Sequence, residues 1–249
     1  EAGIHSGDSA CCLPPVSIKD AILKEIKIQT RKLALALKVK GLLNIQFAIK
    51  KDEIYVIEVN PRASRTVPFV SKANGISLAK IASRIMAGEM LSKYKLKYKK
   101  NKKFAVKEAV FPFNKFPDSD LLLGPEMKST GEVMGFDDDF GMAVAKSQIA
   151  ASNSLPISGL AFLSVKDSHK QEVVGIAQRL TKLGFSISGT KGTAKILIEN
   201  GIKCKTINKV SSGRPHIVDV LNAKKISLVI NTGGGNSEHR IDDARALRR

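Results

Sequence analysis

The clearest hydrophobic pattern in the chain lies in residues 42–65, LLNIQFAIKKDEIYVIEVNPRASR. Apolar and polar residues alternate on both sides of Lys51-Asp52-Glu53, which predicts two strands joined by a short polar turn. A turn centred on Asp52 would build an apolar ladder from cross-strand pairs on the buried face. The predicted pairs are Ile45 with Val59, Phe47 with Ile57, and Ile49 with Tyr55.

The opposite face of this predicted hairpin carries side chains with oxygen ligands. The same register puts Gln46 opposite Glu58, with Asn60 two residues further along the strand. A carboxylate and two amide oxygens on a rigid sheet suit Mg²⁺, especially when the ion also holds substrate phosphates. A solvated hairpin face is the alternative interpretation. The scarcity of Lys and Glu on this face, and the Pro-Arg-Ala-Ser-Arg run that follows Asn60, favour the metal site.

Two arginines, Arg62 and Arg65, follow the second strand directly. Their guanidinium groups match the paired oxygens of phosphate and carboxylate groups, which lysine does not. A pair of surface arginines is the alternative. Next to a metal set, we expect them to clamp a transferred phosphate or its acceptor.

The chain divides into two parts at the polar stretch Ser152-Asn-Ser-Leu-Pro156, which indicates a linker. The first part has helical patterns at 17–40, with Ser17 as the expected N-cap and a core-facing stripe, and after Ser77. From Gly159 onward, strands and helices alternate, as is typical of a doubly wound parallel sheet. We therefore predict two domains, 1–153 and 154–249.

Glycine-rich loops in the second domain point to an anion site. Ligands of such sheets bind beyond the carboxyl ends of the strands. Thr190, Gly192 and Thr193 open a helix there, where free N–H groups favour phosphate. Asn231-Thr232-Gly-Gly-Gly235 is a second such loop, and Lys170 and Lys209 add positive charge.

The net charge of +18, from 41 basic and 23 acidic residues, raises the possibility of nucleic-acid binding. The lysines are spread over most of the chain and aromatic residues make up only 5%, so stacking platforms are scarce and nucleic acid is disfavoured. There is no long apolar run and no secretory signal at the start. The three cysteines have neither zinc-site nor CxxC spacing, which favours small unpaired residues in a reducing cytosol. The absence of an initiator Met suggests a piece of a longer protein.

Several motifs together resemble those of a known family. They are Gln46 with EVNPRASR at 58–65, PFVSKANG at 68–75, HSGDSA at 5–10, PFNKFP at 112–117 and GPEMKSTGEVMG at 124–135. This set resembles the metal-binding end of an ATP-grasp fold and, more narrowly, the large subunits of carbamoyl-phosphate synthetases. The resemblance covers essentially the whole chain. It implies the C-terminal part of an ATP-grasp fold, followed by a shortened methylglyoxal-synthase-like α/β domain.

The resemblance implies the half of the synthetase that phosphorylates carbamate with a second ATP, feeding arginine and pyrimidine synthesis. The implied partner is a glutaminase small subunit in a hetero-oligomer, and the implied cofactors are Mg²⁺ or Mn²⁺ and, as a further candidate, K⁺. Gln46, Glu58 and Asn60 would hold the metal, with Gln46 and Glu58 also touching the nucleotide. Arg62 and Arg65 would orient the acceptor.

Further residues take roles by resemblance alone. Those bordering the ribose and adenine would be Gly3, Ile4, His5 and Ser6. Asp8 and Glu108 would belong to a pocket for an ornithine-type effector. The site for a UMP or IMP effector would comprise Ser164, Lys170, Thr190, Thr193, Lys209, Asn231 and Thr232. The wording GGGNSEH departs from the usual loop, which leaves the identity of the effector open.

Two rival functions remain from the sequence. One is another ATP-grasp carboxylate–amine ligase, against which the PRASRTVPF run and the second domain speak. The other is a basic RNA-binding protein without catalysis, whose binding would fall steeply with salt. No glycine-rich phosphate loop precedes Gln46, so we expect these 249 residues alone not to turn over ATP.

Overall fold

The computed structural model describes residues 1–3, 5–96, 103–116, 123–153, 155–209, 212–214, 216–223 and 225–232. The chain separates into two compact units. The first comprises Glu1–Pro112 and Leu123–Asn153, and the second comprises Phe113–Leu122 and Ser154–Arg249.

The first unit combines two antiparallel sheets with helices. Its strands are β1 (Cys11–Leu13), β2 (Asn44–Lys50), β3 (Glu53–Asn60), β4 (Phe104–Val110) and β5 (Gly131–Asp137). Its α-helices are α1 (Asp20–Ala36), α2 (Thr66–Asn74), α3 (Leu78–Met86) and α4 (Phe140–Ala150). One sheet has the order β1-β4-β5, and β2 with β3 forms the other.

The β2–β3 hairpin confirms the predicted register at its open end only. Ile45 pairs with Val59 and Gln46 with Glu58, as predicted. Beyond Gln46 the pairing shifts by one residue, which leaves Ile57 as a bulge in β3. The observed pairs there are Phe47 with Val56, Ala48 with Tyr55, Ile49 with Ile54, and Lys50 with Glu53.

The turn explains this shift. It contains two residues, Lys51 and Asp52, whose φ angles of 50° and 67° lie in the left-handed region, whereas we predicted a turn that included Glu53. Because this turn is tighter, β3 has one residue more than the ladder needs, and the bulge accommodates it. The predicted buried ladder is wrong at this end, since Tyr55 and Ile57 are 46% and 62% exposed.

Helix α1 also differs from its prediction. It begins at Asp20 after Lys19, and the Ser17 hydroxyl, our expected cap, donates instead to the Glu1 carboxylate. None of the residues from Asp20 to Ala36, all of which the structure describes, is buried. The prediction of a core helix is therefore wrong for this unit, although the apolar stripe is present in the sequence.

The three-stranded sheet is covered on both faces. On one face, Phe69 and Ala73 of α2 pack against Ala105 of β4. On the other, α4 lies so close to β5 that a Cβ added at Gly135 would stand 1.9 Å from the carbonyl oxygen of Ala143. Side chains of β4 therefore point alternately into two packed layers.

The second unit is a parallel sheet between helices, as predicted. Its strands β6 (Gly159–Val165), β7 (Phe185–Gly189), β8 (Cys204–Thr206) and β9 (Leu228–Thr232) pair in the order β8-β7-β6-β9, with every pair parallel. Its α-helices are α5 (Lys170–Lys182), α6 (Lys191–Glu199) and α7 (Ile217–Asn222). Buried Leu163 packs with α5 and α6 on one face, whereas its neighbour Phe162 packs with Ile217 of α7 on the other.

Among the helices of the described residues, none combines the length and the apolar character that crossing a membrane requires.

Candidate functional site

The polar face of the β2–β3 hairpin gathers four side chains with oxygen ligands at its open end. Gln46 lies opposite Glu58, and Asn44 lies opposite Asn60. Residues two apart on a strand share a face, so all four side chains stand on the same side of the sheet. Sequence reasoning identified three of them and missed Asn44, whose amide donates to Ser64 Oγ at 3.3 Å. Extending the predicted register by one pair would have found it.

Glu58 is the one acidic group among these four side chains. Its side chain is exposed and makes no hydrogen bond or ion pair with any residue that the structure describes. Nor do the described residues contain a cluster of three or more His, Cys, Asp or Glu side chains suited to a metal ion. A metal ion here would therefore have one carboxylate and a few amide oxygens as its protein ligands. Phosphate oxygens of a substrate would have to supply other ligands. That mixture fits Mg²⁺, which keeps few protein ligands.

Arg62 and Arg65 lie in the connection between β3 and α2. The Arg62 amide donates to the Asn60 carbonyl at 2.8 Å, which closes a tight turn directly after the polar face. Arg65 occupies the N-cap position of α2 without a side-chain capping hydrogen bond, and its Nη1 lies 2.9 Å from Met127 Sδ. Both side chains are exposed.

The N-terminal segment folds back on itself. The Gly3 amide donates to the Ala10 carbonyl at 3.3 Å, and the His5 amide donates to Ser9 Oγ at 2.8 Å. A Cβ at Gly3 would lie 2.8 Å from Ser9 Oγ, so the absence of a side chain allows the Gly3 backbone to come this close to Ser9. Ile4 and the side chain of Ser6, also predicted to border the nucleotide, lie outside the described residues.

Asp8 is buried and tied to the segment before β5. Its carboxylate accepts from the amides of Lys128 at 2.7 Å and Ser129 at 2.9 Å. Burial pushes the pKa of Asp8 upward, but these hydrogen bonds, together with the Ser129 side chain, outweigh burial and hold the pKa below its ordinary value. The carboxylate is therefore charged at neutral pH, with both oxygens engaged by the backbone.

Glu108 has a different environment. Its Oε2 accepts from Nε2 of Gln148 on α4 at 2.7 Å, and burial raises its pKa against the opposing effects of its hydrogen bonds and of Lys107. Asp8 and Glu108 were predicted to share one pocket. In the structure each has its own hydrogen-bond partners, in the segment before β5 for Asp8 and on α4 for Glu108. A shared pocket stays a prediction.

In the second unit, the predicted effector residues collect at the carboxyl ends of the parallel strands. Ser164 near the end of β6 pairs with Asn231 on β9, and Thr232 is the last residue of β9. Thr190 follows β7 and is the N-cap of α6. Lys209 follows β8, exposed at the same edge of the sheet. The glycines after Thr232 lie outside the described residues.

Hydrogen bonds join these strand ends. Thr190 Oγ1 donates to Thr193 Oγ1 at 3.3 Å, and Thr193 Oγ1 also accepts from the Val165 amide. The Lys166 amide donates to Thr232 Oγ1 at 3.1 Å. The Lys170 amino group forms an ion pair with Asp167 and stands 3.1 Å from where a Cβ on Gly192 would lie. A cation and two buried hydroxyl groups thus meet at the start of a helix, which suits an anion.

Comparison with known proteins gives matches over the whole chain. Residues 2–94 match the ATP-binding domain of the carbamoyl-phosphate synthase L chain, and residues 172–249 match the MGS-like domain. The carbamoyl phosphate synthase large chain of Pseudomonas putida is 53% identical over 250 residues, which cover 100% of this chain. The chain is homologous to carbamoyl phosphate synthase large chains. The resemblance stated from the sequence is confirmed.

Large chains from other organisms show similar identity to this chain. In Aquifex aeolicus, the C-terminal section of the large subunit is 50% identical over all of this chain, and the large chain of Archaeoglobus fulgidus is 54% identical over 94% of it. The chain spans only 23% of the P. putida protein, 22% of the A. fulgidus protein and 49% of the A. aeolicus section. Residues 95–171 lie between the two matching family models, so the exact domain boundary stays a prediction.

Solved structures give a weaker likeness. An L-amino acid ligase from Bacillus licheniformis is 13% identical, with a TM-score of 0.46 over 58% of this chain and 42% of that protein. A likeness at this level says nothing further about the chain.

Proposed function

We propose that this chain is part of the large chain of a glutamine-dependent carbamoyl phosphate synthase and that its first unit is the platform on which ATP phosphorylates carbamate. The main support is the sequence identity of 53% with such a large chain across every residue of this one. The shared face of Gln46, Glu58 and Asn60 is the structural feature that fits this chemistry. The reaction would make it a ligase.

The oxygen ligands would hold Mg²⁺ or Mn²⁺. Gln46, Glu58 and Asn60 stand on one face, and Glu58 has no described partner that a metal would have to displace. When bound, the ion would neutralise charge on the phosphate oxygens. Gln46 and Glu58 would also border the nucleotide, together with Gly3, Ile4, His5 and Ser6. A K⁺ site is a further part of the proposal.

Arg62 and Arg65 would orient the carbamate and stabilise the equatorial oxygens of the transferred phosphoryl group. Each guanidinium offers several N–H donors in a fixed plane, which suits both groups. Their placement supports this assignment, because both lie in the short connection that follows the strand carrying Glu58.

The second unit would bind an allosteric nucleotide such as UMP or IMP. Ser164, Lys170, Thr190, Thr193, Lys209, Asn231 and Thr232 would form that site. Asp8 and Glu108 would contribute to the response to an ornithine-type effector. The match of residues 172–249 to an MGS-like domain supports the nucleotide site, as does the cluster of hydroxyl groups beside Lys170.

The effector site gives a first prediction. Replacing Thr190 and Thr193 together by Ala should weaken the response to UMP or IMP by about tenfold or more, because charge-assisted hydrogen bonds to the phosphate are lost. Turnover without effector should change little. The measurement is a titration of each nucleotide against the activity of the complete enzyme.

Thr181→Ala is the matched control, since its hydroxyl also donates within the second unit, to the Ala177 carbonyl of α5. We expect the control to respond like the wild type. An unchanged response of the double variant to both nucleotides would move the effector site elsewhere.

The proposed function is tested with the complete large chain and its small subunit. ADP and carbamoyl phosphate should yield ATP in a reaction that stops when EDTA removes the divalent ions. Failure to form ATP with Mg²⁺ present would refute the proposal. Steep salt dependence of binding to RNA, with no such reaction, would instead favour the basic binding protein.

Several finer assignments belong to the same proposal. The partner would be the glutaminase small subunit, the product would enter arginine and pyrimidine synthesis, and the location would be the cytoplasm. The 249 residues alone would not turn over ATP, because no glycine-rich phosphate loop precedes Gln46. ATP hydrolysis by the isolated chain at the rate of the complete enzyme, and dependent on Glu58, would contradict this.

A further inference from the structure

A lysine that the proposed reaction does not use is buried in the first unit. The Lys107 side chain, in the middle of β4, is 5% exposed. Its neighbours on the same face, Ala105 and Ala109, are small and buried, which leaves room for a long side chain between them. Burying an ammonium group costs free energy that an apolar residue such as Met would avoid, so packing alone does not account for a lysine here.

The buried amino group holds a loop. Lys107 Nζ donates to the Gly7 carbonyl oxygen at 3.1 Å and stands 3.9 Å from Glu132 Oε1. Gly7 is confined further, because a Cβ there would lie 2.7 Å from Met127 Sδ. Its neighbour Asp8 accepts from the amides of Lys128 and Ser129. The segment His5–Ser9, hereafter the 5–9 loop, is thus tied down at two adjacent residues by groups distant in sequence.

We propose that Lys107 is a positioning residue, which fixes the 5–9 loop so that its backbone presents a preformed surface to the nucleotide. The inference rests on the proposed function, in which His5 and Ser6 of this loop border the ribose and adenine. A loop held in its bound conformation before binding loses less conformational entropy when the nucleotide arrives. Lys107 therefore acts on nucleotide affinity and not on phosphoryl transfer.

The test uses Lys107→Met in the complete enzyme, which keeps the length of the side chain and removes the charge and the donor. We expect the KM for ADP in ATP formation from carbamoyl phosphate to rise about tenfold, with kcat changed less than about twofold. Lys103→Met is the matched control. It removes the same charge just before β4, from a side chain that is 47% exposed and pairs with Asp138. The control should keep the wild-type KM.

Hydrogen exchange measures the positioning itself. In Lys107→Met, the amides of the 5–9 loop should exchange faster, whereas those in the β4–β5 ladder should keep their protection. If this variant fails to fold, Glu132→Gln takes its place, since it weakens the ion pair that holds the Lys107 amino group beside the loop, from a side chain that is 23% exposed. We expect it to raise the KM for ADP by about twofold to threefold, with kcat unchanged.

The outcomes separate the two proposals. A normal KM for ADP, or unchanged exchange in the loop, overturns the role of Lys107 while leaving the proposed function in place. A wild-type enzyme that forms no ATP contradicts the proposed function. In that case, hydrogen exchange in the 5–9 loop of Lys107→Met still tests whether Lys107 positions the loop. Unchanged exchange would refute the role of Lys107 too.

Discussion

Glu58→Gln in the complete enzyme should lower ATP formation from ADP and carbamoyl phosphate by at least about 100-fold. Glu58 is the one carboxylate among the four polar side chains at the open end of the hairpin, and an uncharged amide cannot compensate for the charge of a divalent ion bound to phosphates. The fold should survive, because Glu58 is exposed and has no described partner to lose. The expected change in unfolding free energy is within about 0.5 kcal/mol.

A titration with Mg²⁺ makes this test specific for metal binding. If Glu58 is a ligand, the residual activity of the variant should require a higher Mg²⁺ concentration for half-saturation. Glu53→Gln is the control, since it removes a carboxylate from the turn end of the same strand, where the Glu53 side chain accepts from the Tyr55 hydroxyl. Near-normal turnover in Glu58→Gln, or an unshifted Mg²⁺ midpoint, would refute the metal assignment.

The sequence predicted the parts of the fold that depend on local periodicity. Alternation was enough to find β2, β3 and the strands of the parallel sheet, and to place Gln46 opposite Glu58. The turn was not predictable in the same way. Lys51 and Asp52 both take left-handed conformations without the Asn-Gly or Asp-Gly wording that usually announces such a turn. The bulge at Ile57 follows from that turn, so it was missed too.

Burial was predicted less well than secondary structure. The stripe of α1 has the spacing of a core helix, yet no residue of that helix is buried in this unit. A local pattern shows that a face is apolar but not what packs against it. Lys107 is the opposite case, a charged residue that is buried, and its contact with Gly7 spans 100 residues of sequence. Local periodicity cannot reveal such a contact, nor that the loop holding Asp8 depends on it.

The candidate sites also differ in whether local motifs or distant contacts determine them. Motif order was sufficient to group Ser164, Thr190 and Thr232 at one edge of the parallel sheet, because the carboxyl ends of parallel strands meet there. Motif order does not show which partners the buried side chains of β4 take. Adjacent residues on a strand point to opposite faces, so Lys107 reaches the 5–9 loop while Glu108 reaches Gln148 of α4.

Gly135→Ala should destabilise the first unit by about 3 kcal/mol or more. The added Cβ would lie 1.9 Å from the Ala143 carbonyl oxygen and 2.6 Å from the Ser147 amide nitrogen, both on the backbone of α4. Backbone atoms cannot rotate away as a side chain does, so α4 would have to move off the sheet. Moving α4 would expose Ala143 and Val106, which are now buried. Thermal unfolding of the complete protein measures the effect.

Gly131→Ala is the control for this prediction, because it makes the same change at the first residue of the same strand. Its added Cβ would meet nothing closer than Val110 Cβ at 4.0 Å, an ordinary van der Waals contact. We expect the control to melt within a few degrees of the wild type, since about 1 kcal/mol moves the midpoint of a domain of this size by only about 2–8 °C. Gly135→Ala should instead lose α4 packing and accumulate as aggregated protein. Equal melting temperatures for the two variants would show that α4 does not pack on β5 as closely as described, and that Glu108 and Gln148 are held by some other means.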